Sequence, residues 1–146
     1  MTAKEYLREI RVLDTKISQK EEQIANMRIP AENLMGAIRY DGDHVHVSAS
    51  GSKVEELVLR YMALMEEVRE EKLKYELEKQ KRINEIHALN DARYIQILFK
   101  RYVEFKSYEM MAVELSYSFD YVKELHRDAL ETFEKKHPTL SHPGQC

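Results

Sequence analysis

The sequence predicts an all-α protein: a long antiparallel helical hairpin, coiled-coil-like, followed by a small C-terminal helix-turn-helix domain. Three observations point there. Only 4 Gly and 3 Pro occur in 146 residues, so helix breakers are scarce. Charged residues make up 34% and apolar ones 43%, the mixture that amphipathic helices need. Apolar residues recur at steps of three and four along two long stretches, then regroup into three shorter ones. The expected division is a hairpin over 1–90 with a flexible loop at 30–52, a helix-turn-helix over 91–137, and a flexible tail at 138–146.

The first helix opens on Thr2-Ala3-Lys4-Glu5, a capping-box pattern. Tyr6, Ile10, Leu13, Ile17, Ile24 and Met27 then mark a heptad seam, with Lys20 in one slot. Ile29-Pro30 should end it, because proline lacks a ladder donor and restricts the residue before it. Asp41-Gly42 is a turn signal, and Val45 and Val47 alternate with His44 and His46, so a short hairpin is expected in the loop. The two histidines lie near Asp41 and Asp43, but imidazoles on a polar loop are ordinarily just solvated, and no metal site is expected.

A second capping box, Ser52 to Glu55, should start the longest helix. Its stripe runs through Val54, Leu57, Val58, Tyr61, Leu64, Met65 and Val68. It thins between Glu70 and Arg82, where Leu73, Tyr75 and Leu77 are the main apolar residues, and returns at Ile83, Ile86 and Leu89. The narrow faces of these helices must meet each other, the C-terminal domain or a second chain. Asn90-Asp91 interrupts the pattern.

From Tyr94 onward the chain reads as three short helices. Ile95, Leu98, Tyr102 and Val103 face inward on the first. Ser107 caps the second, Tyr108 to Leu115, with Met111, Ala112 and Leu115 inward. After the turn Ser116-Tyr117-Ser118, Ser118 caps a third that buries Val122, Leu125, Ala129, Leu130 and Phe133. A small Ala112 permits close approach, and so short a turn forces a steep crossing that leaves the outer face of the third helix free for a major groove.

The run Arg101 to Ser118 resembles region four of bacterial sigma factors: an Arg-Tyr, a Ser-capped helix ending in Ala-x-x-Leu, a turn, and a Ser-capped recognition helix. Val122 to Leu130, with its Leu-His near an Ala-Leu, is similar to small phage transcriptional regulators of the RinA/ArpU type. Gly51-Ser52-Lys53-Val54 also matches their Ser/Gly-rich loop before Lys-Val. The resemblance covers about 40 C-terminal residues closely and the remainder loosely. It implies a regulator of phage late genes, prophage- or phage-encoded, in the cytoplasm of a bacterial host. Double-stranded DNA and RNA polymerase would be its partners. Two departures stand out. Ser116 occupies a turn position where Gly is common, and Phe119, Asp120 and Tyr121 replace the usual leading Arg.

The residues expected to meet DNA are Lys106, Ser107, Ser118, Phe119, Asp120, Tyr121, Lys123, Glu124 and Arg127, with Lys100 and Arg101 as additional phosphate contacts. The plainer reading of this face is a solvated helix with its two aromatics packed back on the domain. Arg101 has the alternative of an ion pair with Glu109 or Glu131. His126, outside the expected core, reads as a hydrogen-bonded packing residue.

Charge and cysteine content narrow the classes further. A net charge of -3 argues against a general nucleic-acid coat, and over 91–137 five Lys and three Arg face nine Asp and Glu. The one cysteine, Cys146, forms no disulfide within the chain. No signal-peptide pattern or membrane-spanning apolar run occurs, so the expected compartment is the cytoplasm. There is no Gly-rich phosphate loop, no His-Glu-x-x-His and no nucleophile elbow, so no enzyme and no cofactor are expected. Self-association through the helical region, as a homodimer or higher oligomer, would suit paired half-sites. The competing reading is a coiled-coil interaction factor that docks on polymerase or another phage protein.

Overall fold

The computed structural model describes the backbone of residues 1–40 and 48–141 and the side chains of residues 1–27 and 53–140. Every regular element among these residues is helical, so the fold is all-α. In chain order the elements are α1 (Ala3–Tyr40), α2 (Ser48–His87), α3 (Ala92–Leu98) continuing into a π-turn (Phe99–Val103), α4 (Tyr108–Leu115), α5 (Phe119–Lys136) and α6 (Pro138–Ser141). The chain forms two compact units, Met1–Thr15 with Glu76–Cys146, and Lys16–Tyr75.

In the first unit the capping box of α1 is complete. Glu5 N–H donates to Thr2 Oγ1 at 3.2 Å, and Thr2 N–H donates to Glu5 Oε2 at 3.1 Å. Ala3 N–H, another unpaired donor of the first turn, donates to Glu134 Oε1 of α5 at 3.0 Å. Ala3, Leu7 and Ile10 are fully buried in one core with Ile86, Leu89, Ile97, Leu98, Met111, Val122, Ala129 and Phe133. The boundary expected at residue 90 therefore does not coincide with the compact units: both ends of the long helices supply apolar surface that the short helices need. Arg82 reinforces this, donating to Tyr6 O at 2.7 Å and Glu9 Oε2 at 2.6 Å while its guanidinium lies 4.2 Å from the Tyr6 ring.

The second unit is sparser. Ile17, Met27 and Val68 are its buried apolar side chains among the described residues. Lys20 pairs with Glu71 at 2.6 Å, Lys72 with Glu21 at 3.4 Å, and the Lys16 ammonium sits 5.2 Å from the Tyr75 ring. From Lys16–Tyr75 to Lys20–Glu71 the partner on α2 moves back by four positions as that on α1 moves forward by four.

Three expectations about α1, α2 and the tail need correction. The first helix runs to Tyr40, ten residues past Pro30. A proline forfeits one ladder bond and crowds the turn before it, yet helix formers such as Ala31, Glu32, Leu34 and Met35 follow, and the helix continues. The second helix starts at Ser48, so Ser52 lies inside it. Residues 138–141 form a helical turn with Leu140 packed against the core, not part of a loose tail. The hairpin expected around 41–47, with His44 and His46, falls outside the described residues, as does Cys146.

The stripe along α2 and just past it is narrower than expected and continues through the stretch that looked thin. Leu57, Leu64, Leu73 and Leu77 are exposed, while Val54, Val58, Tyr61, Met65, Val68, Lys72, Tyr75, Lys79, Arg82, Ile86 and Leu89 are half-buried or buried. These eleven positions advance by fours and threes without a break. The stretch that looked thin is a seam occupied by long cationic side chains, whose aliphatic stems bury while their charges reach carboxylates on α1. Lys79 meets Asp14 at 2.7 Å in this way.

Candidate nucleic-acid interface

Local chemistry fixes the three short helices. Asp91 accepts from Arg93 N–H at 2.9 Å and caps α3. Ser107 accepts from Met110 N–H at 3.3 Å and caps α4, and Ser118 accepts from Tyr121 N–H at 3.2 Å and caps α5. Ser116 adopts the left-handed conformation, φ 58° and ψ 40°. Tyr117 N–H then reaches Ala112 O at 3.0 Å and Ser116 N–H approaches Val113 O at 3.4 Å, the paired bonds of a Schellman ending. Three residues thus close α4 and open α5.

The core under this turn differs from expectation at two points. Ile97, not counted among the inward residues, is fully buried, while Ile95 packs half-buried against the same core, and the helix closes in a π-turn where Glu104 N–H bonds Phe99 O, five residues back. His126, expected on the outer face, is buried. Its Nε2 lies 2.7 Å from Tyr102 Oη and its Nδ1 3.4 Å from Tyr108 Oη, and it stacks on Tyr102. It is therefore a hydrogen-bonded packing residue. Burial holds its pKa down to about 4, and the positive charges of Arg101, Lys4 and Arg8 push the same way.

On α5, Ser118, Phe119, Asp120, Lys123, Glu124 and Arg127 are exposed and Tyr121 is half-buried. The aromatics do pack back. Phe119 meets Tyr108 edge-on at 6.2 Å, and Tyr121 meets Tyr117 edge-on at 4.9 Å while accepting from Arg93 Nη1 at 3.0 Å. The Lys123 ammonium lies 5.2 Å from the Phe119 ring. Arg127 has no ion pair among the described residues and is the least committed cation of the set.

The flanking cations are more occupied. Lys106 pairs with Glu114 at 2.6 Å and Glu104 at 3.2 Å, and Lys100 pairs with Glu114 at 2.9 Å. These bonds raise the pKa of Lys106, through Glu114 first, and lower that of Glu114, through Lys106 first. Either lysine would have to leave a carboxylate to grip a phosphate. Arg101 takes neither Glu109 nor Glu131; it donates to Lys106 O at 2.9 Å and lies 4.4 Å from the Tyr108 ring. Arg101, Tyr108, Phe119 and Lys123 are thereby linked in one chain of cation–ring and edge-on ring contacts.

Nothing in the residue spacing singles out Arg93, Arg8 or Arg11. Arg93 is exposed beside Tyr121, and its pKa is raised by the bond to Asp91 and then by Tyr121. Arg8 and Arg11 line a cavity with Arg101 that depends on contacts almost a hundred residues apart in the chain.

No family model matches the chain, and no curated protein or solved structure matches it. No helix among the described residues is long and apolar enough to cross a membrane, and no cluster of three metal-ligating side chains occurs among them.

Proposed function

We propose that this chain is a sequence-specific, double-stranded-DNA-binding transcriptional regulator in which α4, the Ser116 turn and α5 act as a helix-turn-helix. The observation that carries this reading is the short left-handed turn between two Ser-capped helices, which leaves Asp120, Lys123, Glu124 and Arg127 exposed at the start of α5. Lys123 and Arg127 serve as base or phosphate contacts, Tyr121 and Phe119 shape the entry to the groove, and the caps Ser107 and Ser118 fix the helix ends. The resemblance to sigma region four and to RinA/ArpU-type regulators adds the phage context, the bacterial cytoplasm and RNA polymerase as a further partner. No catalysis is assigned to it.

A salt-dependent titration against duplex DNA tests the reading. Affinity should fall as salt rises, and one duplex should outcompete random sequence. Replacing Lys123 and Arg127 together by Ala should weaken binding about tenfold or more with the fold intact. Unchanged binding would sink their assignment.

A second reading has its own support. The exposed Leu57, Leu59, Met62, Leu64, Leu73 and Leu77 of α2 suit a coiled-coil interaction factor or self-association through the helical region. Flat, salt-independent DNA binding alongside a stable oligomer would favour it.

A further inference from the structure

Phe105 is a large aromatic residue at φ 60°, a conformation that costs a β-carbon-bearing residue about 1–2 kcal/mol and that glycine adopts freely. Over a third of its surface is nevertheless open to solvent, at 37% exposure. Its ring closes one side of a cavity of about 510 Å³ that is otherwise lined by Arg8, Arg11, Val12, Thr15, Arg101 and Tyr102. Three guanidiniums face this space, and no carboxylate lines it.

The arginines are arranged for use. Arg8 and Arg11 stand one turn apart on a face of α1 away from the buried seam, and both are exposed. Neither forms an ion pair among the described residues. Arg11 lies 5.3 Å from the Phe105 ring. Arg101 is held by Lys106 O and the Tyr108 ring, so its fork is already oriented. The uncompensated positive field is felt at His126, where Arg101, Lys4 and Arg8 all oppose protonation.

We propose that this cavity is a nucleotide site, with the phosphate held by Arg8, Arg11 and Arg101 and the base or sugar set against Phe105. Guanidiniums match phosphate oxygens two at a time, and an aromatic face beside them accepts a planar base. The cavity falls in the size range of small-ligand pockets. The nucleotide can come from solution or from a nucleic-acid strand. Only the second source bears on the DNA reading given above, and it would add phosphate contacts from α1 and the π-turn.

The test uses the full-length chain, AMP and inorganic phosphate as probes in calorimetry, and a duplex titrated across salt. R8A/R11A removes two exposed cations without touching the core. F105G removes the ring and relieves the backbone; its melting temperature, measured beside that of the wild type, separates a loss of binding from unfolding. AMP should bind saturably and more tightly than phosphate, with at least about tenfold loss in R8A/R11A and loss of the AMP preference in F105G. If the nucleotide belongs to a strand, R8A/R11A should instead reduce the slope of log K against log salt by about 0.9 for each of two charges. Equal AMP binding by wild type and R8A/R11A, or no AMP binding, together with an unchanged salt slope, overturns the proposal. A wild-type chain that ignores duplex DNA defeats the regulator reading and leaves the AMP measurement to decide this one.

Discussion

The two compact units are built from the same two long helices and yet are held together by different physics. In Met1–Thr15 with Glu76–Cys146, the helix ends are sealed by short helices packed across them, and Leu7, Ile10, Ile86, Ile97, Met111, Val122 and Phe133 are fully buried. In Lys16–Tyr75 the buried apolar side chains among the described residues are Ile17, Met27 and Val68, ion pairs join the two helices, and Leu73 stays 54% exposed. The lesson is that a heptad pattern specifies which faces meet, whereas layers of helices across the seam are what exclude water and supply most of the hydrophobic stabilisation.

Truncations should expose that difference most sharply. Phe133→Ala removes a ring from the densest part of the first unit and should cost about 3–5 kcal/mol in urea unfolding. Leu73→Ala in the second unit should stay within about 0.5 kcal/mol. Comparable losses at both sites would erase the distinction.

Acid should act on the first unit through His126. Above pH ~7 His126 is neutral whether the chain is folded or not. Between pH ~6.5 and about 4 only the unfolded chain takes up the proton, so stability declines as pH falls and the loss is complete below about 4. The loss is on the order of 2 kcal/mol. Urea midpoints at pH 7 and 4.5, compared with those of a His126→Gln variant whose own pH dependence should be flatter, would read it.

Smaller effects sharpen the picture. Ser116→Gly should stabilise by about 0.5–1 kcal/mol, because glycine adopts the left-handed turn without strain, and a raised thermal midpoint would register this. Glu21→Gln breaks the Lys72 pair in the second unit and should change stability by less than about 0.5 kcal/mol, with the difference vanishing in high salt.

Much of this was visible in the residues. The Thr2 capping box, the α1 seam, the Ser107 and Ser118 caps and the strained Ser116 turn are local chemistry, and local chemistry is written in consecutive positions. The seam through Lys72, Lys79 and Arg82 was hidden because a cationic residue counts as polar while its stem packs as apolar. His126 was misplaced for a related reason: two tyrosines from other elements satisfy its nitrogens, which no periodicity reveals. The outer face of α5 was legible as a surface. The ion pairs that occupy Lys100 and Lys106 were not, since they depend on how Glu104 and Glu114 fold back. The arginine cavity needs α1 and the π-turn in one place, and nothing in the spacing joins them.

The π-turn itself carries a last implication. It is the closing turn of α3 widened by one residue, with Glu104 N–H bonded to Phe99 O, so the side chains at its end stand out of phase with a regular helix. Tyr102 and Arg101 owe their aim to that surplus residue as much as to their own identities. Insertion and deletion at this turn are thus a form of variation distinct from substitution, able to re-aim the ring cluster while leaving its composition unchanged.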